Sequence, residues 1–423
     1  MELPQTLKDA IIVTSLLEKR FIWIDALCII QDDETDKAKE LPLMPDIYAG
    51  SFLTISADRA DSCYTGFLNN HSARSSIMCA LPYLCQDGTK GSALVTQHTP
   101  AFNVHGATNP IESRAWTIQE RLLSPRLLGF SMDKVTWRCM HSKRNDRNTV
   151  RQFNPHQWAL QNIDTPAYWY KELNDDPNPM IWMNIVEAYS TRHLSFPADK
   201  LPAISAIAAK YQREGTGQYL AGLWEDHLPI SLLWYKFENN YFLGTSRYTD
   251  YIAPTWSWAS VVGTVSHIQR LENDLGSTSS IKHFEVVPAN AANPYGAIKS
   301  ASIVVEAPLA QSVGSEWTPQ GFSVYLKGSG DRKVKVPIYL DEDYGKHKHA
   351  PCGDDCVANR LENSWCFRIA DGVEGWKGLL LVQVRNRQGL MFQRVGLCYS
   401  KMTMSGIDES CWAETERRTI EII

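Results

Sequence analysis

Phe21-Ile22-Trp23-Ile24-Asp25-Ala26-Leu27-Cys28-Ile29-Ile30-Gln31-Asp32-Asp33 decides how the chain is read. An apolar run ends on a carboxylate, resumes, and stops at polar residues. Short apolar runs between polar breaks read as buried strands, and Phe, Ile and Trp suit the pleat. Leu7, Ala10, Ile11, Thr14 and Leu17 upstream have helical spacing, and residues 35–48 downstream also read as helix. That alternation predicts an α/β sheet, in which ligands gather at the carboxyl ends of strands. Asp25 would stand at such an end. Its alternative role is to cap the next turn.

Outward from this stretch, residues 51–57 read as the next strand. A helix-sized connection predicts that it lies parallel to 21–24 as a neighbour. Thr6 is the expected N-cap of the first helix, with Asp9 three residues on. Pro42 and Pro45 predict a split second helix, because an internal proline removes a donor and clashes. Residues 62–67 read as a loop, 75–80 and 93–96 as strands, and 113–124 as a helix stopped by Pro125. Residues 126–130 and 134–139 read as a strand pair. Polar residues 141–155 mark a boundary, and 178–192 and 197–213 repeat helically. Trp158, Trp169, Trp182, Trp224 and Trp234 are expected as core residues of that region. Beyond about residue 250, runs rich in β-branched and aromatic residues alternate with Gly, Asn, Asp and Pro, which predicts a sandwich-like or barrel-like module. The expected division is an α/β domain over 1–145, a helical region over 156–250 and a β-rich domain over 251–423.

Composition narrows the function classes. Hydrophobic residues make up 44% and charged residues 21% of the 423 positions, as in an ordinary globular chain. A net charge of −5 gives no sign of nucleic-acid binding. The first twenty residues carry six charges and form no secretory signal. No apolar run approaches the roughly 20 residues that span a bilayer. Ten irregularly spaced cysteines fit reduced thiols in a cytoplasmic protein rather than a disulfide framework.

Several groups could carry chemistry. Trp116 and Glu120 are four apart and share a helix face. The neighbours of Glu120 at three and four residues include Thr117, Leu123 and Ser124, none of them basic, so no ion pair within the helix explains it. It is a functional carboxylate, the partner of a distant arginine, or simply a solvent-facing residue. Arg114 and Arg121 could hold phosphates, or form structural pairs with Asp25, Asp32 or Asp33. Cys28 is a possible nucleophile, but no histidine is tied to it and a buried structural thiol is the expectation. His347, His349, Cys352 and Cys356 are zinc-type ligands, but crowded into one loop. No metal is expected there, with zinc as the alternative. No phosphate-cradling loop occurs.

The opening stretch also resembles the signature of the fungal heterokaryon-incompatibility (HET) domain. Upstream, Leu3-Pro4-Gln5-Thr6-Leu7-Lys8-Asp9-Ala10 is similar to the family's leading helix. Ile47–Ala57 resembles its next helix end and strand, and Arg114-Ala115-Trp116-Thr117-Ile118-Gln119-Glu120-Arg121-Leu122-Leu123-Ser124 resembles its second block. Further likenesses are Asp199–Ser205, Tyr219–Trp224 and Pro254–Ser260. The resemblance implies an incomplete TIR-like (flavodoxin-like) domain in a cytoplasmic self/non-self recognition or cell-death protein. Such a protein would act through protein partners or by self-assembly, with no cofactor. It also implies an alternative, a TIR-like NAD glycohydrolase. There Glu120, with Asp25, would stabilise the sugar cation, while Trp116, Arg114 and Arg121 would contact the substrate. The family's opening strand, with Leu-Ser-Tyr-x-Trp-Gly, would precede Met1, so this chain is expected to be truncated relative to the family and weak or inactive as an enzyme.

Overall fold

The computed structural model describes residues 2–68, 78–84, 87–96, 109–131, 135–139, 142–145, 179–213, 215–236, 247–268, 275–318, 321–328, 332–341, 361, 363–384, 391–400, 408–413 and 415–423. The chain divides into two compact units, Met1–Tyr168 and Trp169–Ile423.

The first unit opens with helix Gln5–Leu16, preceded by Pro4 at φ −54°. The cap is therefore not Thr6. Proline's fixed φ already suits a helix start. Thr6 instead donates from its hydroxyl to Ser62 O at 3.1 Å and from its N–H to Cys63 O at 2.9 Å. Asp9 completes the tether. Its carboxylate accepts the Phe67 and Leu68 N–H groups at 2.6 and 2.9 Å and the Gln5 amide at 2.7 Å. Burial is the largest single influence on Asp9 and acts to raise its pKa. The hydrogen bonds from Leu68, Phe67 and Gln5 and the charge of Arg59 together outweigh it, and the group lies below the ordinary carboxylate range. Gly66 lets the loop close. Its φ is +73°, and a Cβ there would stand 2.7 Å from Asp9 Oδ2.

The prolines split the second helix as expected, into Glu34–Glu40, a 3₁₀ turn Leu41–Leu43, and Met44–Gly50. Pro42 and Pro45 occupy first-turn positions, where no N–H is needed.

Residues 21–24 correct the central expectation. They form no strand. Phe21 is 84% exposed, so its burial does not drive pairing. Ile24, extended at φ −137° and ψ 122°, leads directly into the short helix Asp25–Cys28. The parallel partner of Thr54–Ser56 is instead Arg126–Phe130, in register Thr54↔Leu127 and Ser56↔Gly129. Helix Thr117–Leu123 immediately precedes that partner. Antiparallel strands Val135–Cys139 and Ser142–Asn145 extend the sheet to four. It is a mixed sheet with one parallel pair, so the α/β character lies there and not at 21–24. Met78–Leu84 and Lys90–Thr96 form a separate hairpin.

In the second unit, helices Pro179–Ser190 and Pro202–Tyr211 bury Ile181, Trp182, Ile185, Ile204 and Ile207. Trp182, Trp224 and Trp234 are core residues as expected, while Trp158 and Trp169 lie outside the described residues. The indoles of Trp182 and Trp258 both donate to Gly222 O at 2.8 Å.

Tyr219–Leu220 pairs with Leu223–Trp224 and Trp234–Lys236 with Val265–His267 in two small sheets. The nine later strands among the described residues, from Gly276–Ser277 to Arg417–Ile422, form one sheet. The 21-residue strand Ile298–Thr318 pairs antiparallel with Gly321–Lys327 at one end and with Ser364–Gly372 nearer its middle. The ladders then run from Gly321–Lys327 to Lys333–Leu340, to Met391–Tyr399, to Gly375–Val384 and back to Ser364–Gly372. Six antiparallel strands thus close into a ring, which removes free edges. Val324, Leu326, Val336, Leu380, Trp376 and Cys366 share its buried interior. The module is barrel-like rather than a two-sheet sandwich. No helix among the described residues is long and apolar enough to cross a membrane.

Candidate functional site

Asp25 is the first residue of its helix, and its carboxylate accepts the Ala26 N–H at 2.7 Å. The expected capping role is not realised, because Ile24 holds the cap position and no side chain caps this helix; the Asp25 side chain is exposed. Trp23, just before it, meets the Tyr48 ring edge-on with centroids 5.7 Å apart. Tyr48 lies near the end of helix Met44–Gly50, where it reaches across to helix Thr117–Leu123.

The Tyr48 hydroxyl donates to the Glu120 carboxylate. Burial is the largest influence raising its pKa. The negative charges of Glu120 and Asp25 and the hydrogen bond to Glu120 add to that, while Arg114 opposes them. Glu120, Asp25 and Arg114 therefore converge on one tyrosine. Trp116 stands just before the helix with helical dihedrals, φ −60° and ψ −32°, which keeps its four-residue relation to Glu120. Chemically, the arrangement is a fixed, half-buried carboxylate beside a second carboxylate, a guanidinium and two aromatic rings. It could hold hydroxyl groups or stabilise developing positive charge.

The first unit so far shows a leading helix tethered to a loop, the Trp23–Cys28 turn, and a second block that carries Glu120. Residues 1–120 match the family model described as heterokaryon incompatibility protein (HET). No curated protein and no solved structure matches the chain. Every member of the Tyr48 cluster lies inside the HET match.

Arg121 stands apart from this cluster. Its guanidinium binds Asp58 at 2.8 Å, with both side chains buried, and lies 3.8 Å from Glu112. Its structural partner is thus Asp58, not Asp25, Asp32 or Asp33. Ser56 and Ser131 hydroxyls also donate to Asp58, and Arg138 donates to Arg121 O. Asp33 instead caps helix Glu34–Glu40 through the Thr35 and Asp36 N–H groups at 2.8 and 3.2 Å. Cys28 is exposed rather than a buried thiol. His347, His349, Cys352 and Cys356 lie outside the described residues.

Sequence reasoning missed Tyr48. Its only local signal is an aromatic residue one helix turn before the exposed Phe52, which does not distinguish it from a core residue.

Proposed function

We propose that the chain acts in heterokaryon incompatibility and its associated cell death, through protein contacts made by the HET segment. The observation that carries this reading is the surface of that segment. Most large apolar side chains exposed among the described residues lie before residue 85, including Leu16 at 77%, Phe21 at 84%, Leu27 at 52% and Ile30 at 55%. Large exposed apolar side chains concentrated in one segment support an interaction surface there. The test is regulated overexpression in a filamentous fungus. Growth arrest with cell lysis is expected. It should be lost when Phe21 and Leu27 are changed to Ser, which leaves the buried core untouched. Normal growth with the unaltered chain at full expression would end this reading.

A second reading rests on the Tyr48–Glu120 hydrogen bond. Here the segment cleaves NAD at the nicotinamide–ribose bond. The bonding electrons leave with nicotinamide, and positive charge develops on the ribose. Glu120 stabilises that charge, and water completes the hydrolysis. Tyr48 would hold the carboxylate in place, Asp25 would accept from the ribose hydroxyls, and Trp23 or Trp116 would stack on the substrate. Arg121 is committed to Asp58, and Arg114, whose charge already acts on Tyr48, would contact the diphosphate. Release of nicotinamide from NAD by the purified chain tests this directly.

A further inference from the structure

Helix Gln5–Leu16 buries Asp9 and Val13 and turns Lys8, Ile11, Ile12, Ser15 and Leu16 outward. Ile11 and Ile12 are 41% and 46% exposed, although a surface helix ordinarily keeps its outer face polar. Positions 8, 11 and 15 form one stripe, and the exposed Glu18 follows just past the helix end. Two features of this stripe point to what covers it.

The first is charge. Lys8 and Glu18 bracket Ile11 and Ser15 symmetrically about residue 13. When such a stripe meets its own copy antiparallel, residues whose numbers add to 26 stand opposite each other. Lys8 then faces the copy's Glu18, and Ile11 faces the copy's Ser15. A large residue meets a small one, and two opposite-charge pairs close the ends. Both contacts occur twice, as a two-fold interface requires. Among the described residues, Lys8 makes only a loose surface pair, with Glu2 at 3.7 Å. Lys19 and Arg20 lie over the Phe52 and Phe21 rings at 3.8 and 5.6 Å. Glu18 has no side-chain partner among the described residues.

The second is backbone strain. Glu18 adopts φ +56°, the left-handed conformation that closes the helix, with its N–H on Ser15 O at 2.9 Å. Glycine is the unstrained residue for that position. A carboxylate held there at a conformational cost has a use for its side chain.

We propose that this face is a self-association site, where helix Gln5–Leu16 pairs antiparallel with the same helix of a second copy. The proposal rests on the reading that the HET segment acts by protein contact, and it names a second copy of this chain as the partner. The pairing is judged by sedimentation and the contact reading by fungal growth, so either can fail without the other.

The experiment is sedimentation of the full chain over a range of concentrations. A reversible monomer–dimer equilibrium is expected. Glu18→Gly should raise the Tm by relieving the left-handed strain, yet weaken the dimer roughly tenfold by removing two ion pairs. A merely structural Glu18 would not separate those effects. Ile11→Glu, on an exposed position, should leave only monomer. Lys8→Glu should weaken dimerisation and Lys8→Glu with Glu18→Lys should restore it. A wild-type chain that stays monomeric at all concentrations, or a dimer unchanged by Ile11→Glu, or no rescue in the charge-swapped double variant, would overturn the proposal.

Discussion

Glu120 and Arg121 are adjacent on one short helix, yet their environments differ. Consecutive helical residues point about 100° apart, so one faces Tyr48 and the other the interior. The sequence showed no basic neighbour for Glu120 and offered Arg121 several distant carboxylates, but it held no signal for which would be buried, because their long-range partners, Tyr48 and Asp58, are set by packing. The difference is testable. Arg121→Met leaves Asp58 with hydroxyl partners but no counter-charge at a site 1% exposed. Breaking such a pair on one side typically costs about 3–5 kcal/mol. Denaturant unfolding should show that loss in the first unit. Glu120→Gln keeps an amide oxygen that still accepts from Tyr48 and should leave the unfolding midpoint nearly unchanged. If the NAD reading holds, the same change should lower nicotinamide release by roughly 10²–10³-fold.

Among the elements, the helices were the most legible, since proline and the 3.6-residue repeat act locally. The two-proline split at Leu41–Met44 needed no tertiary information. Residues 21–24 show the opposite case. Their composition favours an extended backbone, and Ile24 has one, but a strand needs a ladder partner, and propensity does not supply that. Thr54–Ser56 found its partner more than seventy residues away, beyond Pro125. That pairing depends on Gly129, since a Cβ there would stand 2.5 Å from Thr136 Oγ1 and 2.7 Å from Asp58 Oδ2. Gly129→Ala should therefore destabilise the sheet by about 1–3 kcal/mol through overpacking, measured as a lowered urea midpoint. The Asp9 tether carries a pH signature. Its folded pKa lies below the unfolded value, so its stabilisation is complete above about pH 4 and is lost as pH falls through the folded pKa. In Asp9→Asn this acid-dependent part should vanish from the stability profile, with a lower plateau at neutral pH.

For the C-terminal unit as a whole, the sequence showed where strands lie but not how they close. Alternating apolar residues mark Lys333–Leu340 and Met391–Tyr399 plainly. The ring closes only because Ile298–Thr318 is long enough to pair with two different strands along its length, and alternation says nothing about that. Nor did it show the charges inside. His227 is pushed down to about 4, first by burial and then by Arg213. Its folded pKa is below the unfolded one, so the unfolded chain binds the extra proton between about pH 6.5 and 4, and stability falls as pH falls through that window. His227→Gln should flatten that part of the profile, as read by Tm between pH 7 and 5.

The larger buried charge sits at Asp341. Its carboxylate takes Arg394 Nε at 3.0 Å and Arg247 Nη2 at 3.0 Å, and the Arg394 side chain is fully buried. Arg394 also donates to Leu232 O at 2.6 Å and to Trp234 O, and lies 3.4 Å from the centre of the Trp234 ring. Arg247 reaches Arg394 O at 2.6 Å and Ser260 Oγ at 2.7 Å. One carboxylate therefore links the end of Lys333–Leu340, the middle of Met391–Tyr399, the segment 232–234 and the chain around 247. Asp341→Asn would take from both guanidinium groups the carboxylate they share, at a cost of about 3–5 kcal/mol. Arg394→Met should cost less on the charge side, because Asp341 keeps Arg247, but it abandons the two carbonyls. The two changes act on one network, so they should not add. The double variant should be more stable than the sum of the single losses predicts, by about 0.5–3 kcal/mol of coupling. Additive losses in denaturant unfolding would mean that Arg394 is held by the carbonyls and the Trp234 ring rather than by Asp341, and that the carboxylate is there for Arg247 instead.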